Sequence, residues 1–360
     1  MYHRHMTKYS NMSNWWCELP TAYNSVCGTA KFRVNPDDFI VDEELSFTPD
    51  GEGENVFLRI EKRGLTTEQV AKQLARFANV KLMDVGYAGL KDKNAVTRQW
   101  FSIRIPGKSE FEWQKLNDEK INILEINRNR KKLRRGVIKQ NKFEIIVRDF
   151  DGNFEELISI AQLVSADGIP NYFGDQRFGN GCGNIEKALQ IFNGEYKPKG
   201  KDKGRAERSI ILSAARSYLF NEILSQRVQQ QNWNKLLPGD AAIFDDNNSI
   251  FAVEELDEAT TTRLASMDIH PAAALYGSGE FKTNGEPNKI ESAVIDENSE
   301  LAMGCKNNNM RMERRAMRLK VAGLVVEPVE TGVVKFSFAL KTGAYATAVL
   351  REMLSLQKVT

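Results

Sequence analysis

The chain has 360 residues, in which 50 Lys and Arg face 48 Asp and Glu for a formal net charge of +2. With 41% hydrophobic and 27% charged residues it is composed like a folded globular protein and not like a disordered or fibrous one, and at roughly 150 residues per domain its length predicts two domains. The near balance of charge means that any affinity for nucleic acid has to come from local patches.

Cys17, Cys27, Cys182 and Cys305 are scattered, without a Cys-x-x-Cys pair or a histidine at metal-ligand spacing, and read as reduced thiols. His3, His5 and His270 are the whole histidine complement, which leaves few candidates for a His base or a Ser-His-Asp triad. No apolar run of about 18 residues and no charged-then-apolar start is present, so the expectation is a cytoplasmic protein without a membrane span.

In chain order, residues 1 to 26 read as a polar arm with Trp15 and Trp16 as its anchors. From Ala30 a short strand, a turn at Pro36 and a second strand carrying Phe39 and Val41 on one face are predicted. On pattern alone Arg33, three residues before the proline, reads as a surface residue. Residues 56–61 alternate as a strand, and Thr66 with Gln69 has the form of a capping box opening a helix whose Val70, Leu74, Phe77 and Ala78 face a core. The segment Gly86-Tyr-Ala-Gly-Leu-Lys-Asp92 then places one carboxylate, Asp92, among Lys91, Lys93 and Arg98, in a loop that feeds an alternating strand from Gln99 to Ile105.

Between Arg128 and Arg135 six cations occur with no acid, and a phosphate backbone is the natural partner of so dense a run; Lys131, Lys132, Arg134 and Arg135 are its candidate contacts. The strand that follows puts Asn141, Phe143, Ile145 and Val147 on one face, and an amide beside an aromatic ring suits a nucleobase. A second basic stretch, from Lys197 to Arg208 around Gly200 and Gly204, reads as a flexible loop. Gly179-Asn-Gly-Cys-Gly183 lacks both the preceding strand and the full spacing of a dinucleotide fingerprint. Arg208 to Val228 reads as the longest helix, with Leu212, Ala215, Leu219 and Ile223 buried, residues 291 to 320 as helical, and residues 334–340 as a strand that turns through Tyr345 into a last helix.

Several of these segments resemble the motifs of the TruD family of tRNA pseudouridine synthases. Gly89-Leu-Lys-Asp92 with Ala95-Val-Thr-x-Gln-Trp100 is similar to the family's catalytic motif, whose aspartate falls on Asp92. The stretch from Lys31 to Leu45 resembles a second motif, whose basic residue pairs with that aspartate and falls on Arg33. Asn141-x-Phe143 matches the family's active-site Asn-x-Phe, with Gln140 where many members have glycine. Lys341 to Glu352 resembles the closing motif, with Tyr345 where phenylalanine is common. The resemblance implies an α/β (α+β) fold: a catalytic domain with a mainly antiparallel sheet, residues 1–169 and 318–360, interrupted by an inserted α/β domain, residues 170–317. It implies isomerisation of the uridine at position 13 of tRNA, with Asp92 and Arg33 catalytic and Asn141, Phe143, Tyr345 and Lys91 at the substrate. It also implies no metal, no organic cofactor, tRNA as the partner and a monomer. Two other readings compete: an RNA-binding protein that no longer turns over, and a glycosidase pairing Asp92 with Asp84 or Glu43.

Overall fold

The computed structural model describes residues 9, 12, 14–23, 26–107 and 110–358; His3 and His5 lie outside them. Contacts within the chain gather it into two units. One is built of Val26–Ala166, Val321–Ala346 and Met353–Thr360, the other of Met1–Ser25, Asp167–Lys320 and Thr347–Glu352. The sequence division at 169/170 and 317/318 thus compares with a contact division at 166/167 and 320/321, which counts the first 25 residues and 347–352 with the second unit.

The first unit is organised by a ten-stranded sheet. Its strands are β1 (Gly28–Phe32), β2 (Phe39–Leu45), β3 (Asn55–Arg63), β4 (Val85–Tyr87), β5 (Val96–Arg104), β6 (Ile121–Asn129) and β7 (Ile138–Gly152), joined by Ala322–Glu330, Val333–Lys341 and Ser355–Lys358. The central path runs Val333–Lys341, β7, β2, β5, β3, β6, and pairing is antiparallel except between β2 and β5 and between β1 and Ser355–Lys358. β2 therefore lies between β7 and β5. That placement brings the motifs at residues 33–43, 89–100 and 141–143 onto adjacent strands.

The Thr67–Phe77 helix covers one face of this sheet. Its capping box is formed as the sequence predicts: the Gln69 N–H donates to the Thr66 hydroxyl and the Gln69 carboxamide oxygen accepts from the Thr66 N–H. Val70, Ala71 and Leu74 of the helix pack on Leu58, Ile60, Phe101 and Ile103. The alternation of these strands reads as one buried face, yet the opposite face is covered too: Phe57 and Trp100 pack there against Leu133 and Ile138. The basic segment between β6 and β7 folds back over them, so the central strands are buried on both sides. Gly86 permits this closeness, because a Cβ there would fall 2.6 Å from the Ser102 hydroxyl and 2.7 Å from the Leu133 carbonyl.

The second unit packs helices Gly183–Phe192, Lys201–Gln229, Gly285–Glu297 and Ser299–Asn307 with a four-stranded sheet in the order Ile250–Ala252, Ala241–Phe244, Ile269–Leu275, Glu313–Ala316. Three expectations change here. The basic stretch after Lys197 is a loop only to Gly200, because Gly200 takes φ 90° and opens the long helix at Lys201. Gly204 sits inside that helix, where a Cβ would meet the Pro198 carbonyl at 2.9 Å, so this glycine serves close packing and not flexibility. The helix buries Ile211, Ala215, Leu219 and Ile223, one position earlier at its start than Leu212. Helix after 291 ends at Asn307, and the arginines that follow form a strand at Glu313–Ala316 and a short pairing of Arg318–Leu319 with Ile169–Pro170. In the arm, Trp15–Glu18 is one helical turn, and the buried Trp16 indole donates to the Phe173 carbonyl at 2.8 Å.

Candidate active site

Arg33 leaves the end of β1 in a left-handed conformation, φ 59°, which is strained for a residue with a Cβ. The Pro36 turn after it is fixed by Asp38, fully buried, whose carboxylate accepts from the Asn35 N–H at 2.8 Å and from both Arg148 Nε and Nη2. So held, the Arg33 guanidinium lies 4.2 Å from the centroid of the Phe39 ring and donates to Asp92 Oδ2 at 2.8 Å. The side chains are 22% and 37% exposed, so the carboxylate is oriented yet open to a substrate.

A floor of rings continues from Phe39. Phe143 lies 6.0 Å from Phe39 and stacks on Phe338 at 5.4 Å, Phe143 and Phe338 being direct cross-strand partners. Phe143 is 8% exposed, so most of its surface serves packing. Asn141, two residues before it, stands opposite Glu43 of β2 and Leu340 of Val333–Lys341. Tyr345 is half-buried in the turn that follows that strand.

The loop bearing Asp92 is clamped through its backbone. Gln99 Nε2 donates to the Gly89 carbonyl at 3.2 Å, the Lys91 N–H donates to the Thr67 hydroxyl at 3.0 Å, and Lys62 Nζ donates to the Asp92 carbonyl at 2.8 Å. Thr67 also donates to Gln99 Oε1 at 2.8 Å, which ties two of the clamps together. The Lys91 ammonium turns inward, donating to Asn141 Oδ1 at 2.6 Å and pairing with Glu43 at 3.0 Å, with side-chain exposures of 7% and 0%. Burial raises the Glu43 carboxyl above the usual carboxylate range, outweighing the opposing pull of Lys91 and of the Trp100 N–H at 3.2 Å. Glu43 is therefore an acid with a perturbed environment but no access to substrate, which removes it as the second carboxylate of a glycosidase.

The local cations do not act as proximity in sequence suggests. Arg98 pairs with Glu61 at 2.8 Å and faces Asp42, while Arg33 is the cation bonded to the Asp92 carboxylate. Sequence reasoning did not find Lys62, which is fully buried. A lysine at a position where the alternation of β3 demands a buried residue, Ile60 and Lys62 sharing a face, was the available signal. His270 is 2% exposed, its Nδ1 accepting from Arg318 Nε at 3.0 Å and its Nε2 facing Asp245 Oδ1 at 3.0 Å, an arrangement that fixes the ring in the second unit.

The basic run stands beside a cavity of about 770 Å³ whose lining includes Phe47, Asn129, Lys131 and Arg134. Lys131, Arg134 and Arg135 are exposed; Arg130 pairs with Glu52, and Lys132 Nζ donates to the Met83 carbonyl. Among the described residues no helix is long and apolar enough to cross a membrane.

The family model described as tRNA pseudouridine synthase D (TruD) matches residues 22–198 and 205–353. A tRNA pseudouridine synthase D of Methylococcus capsulatus is 42% identical over 94% of each chain, and one of Colwellia psychrerythraea is 41% identical over 91% of this chain and 90% of its own. A solved structure from Methanosarcina mazei, described for the same enzyme name, superposes with a TM-score of 0.72 over 93% of this chain and 95% of its own at 23% identity, a likeness of fold. A mixed α/β architecture with mainly antiparallel sheets, the motifs on adjacent strands and a family match along nearly the whole chain lead to one conclusion: the chain belongs to the tRNA pseudouridine synthase D (TruD) family.

Proposed function

We propose that the chain is a tRNA pseudouridine synthase that isomerises the uridine at position 13 of tRNA, with Asp92 as the group that attacks. The observation that carries this reading is the single carboxylate, one oxygen held by Arg33 at 2.8 Å and the side chain 37% exposed beside an aromatic floor. The reaction breaks the N1–C1′ bond, turns the uracil and joins C5 to C1′; N1 gains a proton and C5 loses one, with no net redox change. One ionised carboxylate serves it, as a nucleophile or a proton acceptor. Arg33 supports that role by a charge-assisted hydrogen bond that holds and orients the carboxylate.

The target base has to leave its stack to reach the site. Phe143 and Tyr345 wall the uracil in this reading, Asn141 hydrogen-bonds near it, and Lys91 holds Asn141 in place from behind. Lys131, Lys132, Arg134 and Arg135 meet tRNA phosphates. The chain acts as a monomer in the cytoplasm. A protein that only binds RNA gains nothing from a strained Arg33 aimed at a half-exposed acid.

The test is pseudouridine mapping in total tRNA treated with wild type and with Asp92→Asn. Wild type is expected to modify position 13. The amide variant should bind tRNA normally and lose more than about a thousandfold in turnover. Retention of a tenth of the wild-type rate removes Asp92 from the chemistry.

A further inference from the structure

Lys62 is a lysine with none of its surface exposed, placed at the end of β3. An ammonium in such a position is costly unless acceptors offset its burial. Its Nζ donates to two backbone carbonyls, Leu65 at 2.7 Å and Asp92 at 2.8 Å. The first belongs to the turn that leads into the Thr67–Phe77 helix, and the second to the residue assigned the attack. One cation thus ties the catalytic loop to the foot of the helix.

We propose that Lys62 is a positioning residue: its ammonium fixes the Asp92 peptide through the backbone carbonyl, while Arg33 holds the carboxylate of the same residue. The proposal rests on the assignment of Asp92. The charged groups that face Lys62 are the Asp92 carboxylate, which favours the ammonium, and the Lys91 ammonium, which opposes it. Its cross-strand partners, Thr97 on β5 and Ile121 on β6, carry no charge. Burial outweighs Asp92 and lowers the Lys62 pKa from 10.5 to about 8. The clamp is therefore charged at neutral pH and loses its charge within the range where tRNA remains folded.

The experiment combines single-turnover rates on tRNA from pH 6.5 to 9 with hydrogen exchange of the 89–96 segment, for wild type, Lys62→Arg and Lys62→Gln. Wild type is expected to hold a constant rate to about pH 7.5 and to lose rate above about pH 8. Lys62→Gln should be slower by about tenfold to a hundredfold at pH 7, the scale of a loss of alignment. Its rate should be flat with pH, its affinity for tRNA within threefold of wild type, and its 89–96 segment faster to exchange. Lys62→Arg, charged at every pH tested, should recover part of the rate and keep it to pH 9. An alkaline loss that persists in both variants overturns the proposal, and so does a Lys62→Gln rate equal to wild type. Where neither variant folds, a wild-type rate unchanged between pH 7 and 9 overturns it. Failure of the proposed function shows differently, as a wild type that makes no pseudouridine; the exchange measurement then still decides whether Lys62 holds the loop.

Discussion

Both units bury cations, and Arg227 in the second is surrounded differently from Lys62 in the first. In the second unit the Arg227 guanidinium is enclosed by acceptors: Nη1 and Nη2 donate to the two Asp240 oxygens at 2.9 and 3.0 Å, Nε to Asn232 at 2.6 Å, and Nη2 also to two carbonyls. Arg314 pairs with Glu291, whose other bonds come from the Ala274 N–H and the Thr283 hydroxyl, although the Arg314 Nε finds no acceptor among the described residues. In the first unit Lys62 meets only carbonyls in its hydrogen bonds, and the carboxylate it faces is partly open and shared with Arg33. A closed pair has no capacity left for a ligand and contributes to specifying the fold. The open acid, bonded to Arg33 through one oxygen, keeps a lone pair available, and that difference separates a structural ion pair from a site.

The comparison is sharpened most by removing one partner from each kind of cluster. Asp240→Asn leaves Arg227 buried without its counter-charge and should cost about 3–5 kcal/mol of stability, read as a fall in the denaturant midpoint, while the folded protein keeps its turnover. Arg33→Met should do the reverse, lowering turnover by about a hundredfold to a thousandfold, as expected when one charged donor leaves a site, with the midpoint nearly unchanged. If Arg33→Met destabilises as much as Asp240→Asn, both pairs are architecture and the distinction fails.

How much of this was legible beforehand follows from what each feature depends on. The local elements around the site were: the capping box at Thr66, the turn at Pro36 and the face shared by Asn141 and Phe143 depend on residues close in sequence. The pairing of Arg33 with Asp92, 59 positions apart, came from motif resemblance; no periodicity contains it. The two-sided burial of Phe57 and Trp100 was not legible, because it depends on a distant segment folding over the sheet; at Lys62 the alternation of β3 signalled burial, but not the bond to the Asp92 carbonyl, 30 positions on. The charge attributed to Arg98 was misplaced for a related reason. On strand β5 it is carried to Glu61 of β3, its cross-strand neighbour.

A smaller effect is expected at the basic run. The exposed Lys131, Arg134 and Arg135, changed together to Gln, should flatten the dependence of tRNA affinity on salt by two to three units of logarithmic slope, at about 0.7–0.9 per phosphate contact. Lys132, already bonded to the Met83 carbonyl, should add less. Turnover at saturating tRNA should change little, since these side chains hold backbone and not the reacting base. A slope unchanged in the triple variant would mean that the run faces solvent and only roofs Phe57 and Trp100.

The smallest effect tests whether the second unit also contains an open charge. Glu352 is fully buried; its Oε2 accepts from the Ala22 N–H at 2.7 Å, and Arg351, stacked on Trp16, stands 3.8 Å from Oε1. Burial raises its pKa from 4.5 to about 7, against the opposing pull of Arg351 and the Ala22 N–H. In the unfolded chain the carboxyl loses its proton near pH 4.5, whereas in the folded chain it keeps it to about pH 7. The folded state therefore binds more protons between those values, and stability falls as pH rises through that window, by about 1.4 kcal/mol per unit at the steepest. Glu352→Gln retains an oxygen for the Ala22 N–H and has no charge to bury. Denaturation at pH 4.5 and pH 7.5 should then show wild type losing stability relative to the variant by about 2–3 kcal/mol over the interval. An equal pH dependence in both proteins would mean that Arg351 compensates the charge fully, making Glu352 one more closed pair of the kind Arg227 and Asp240 form.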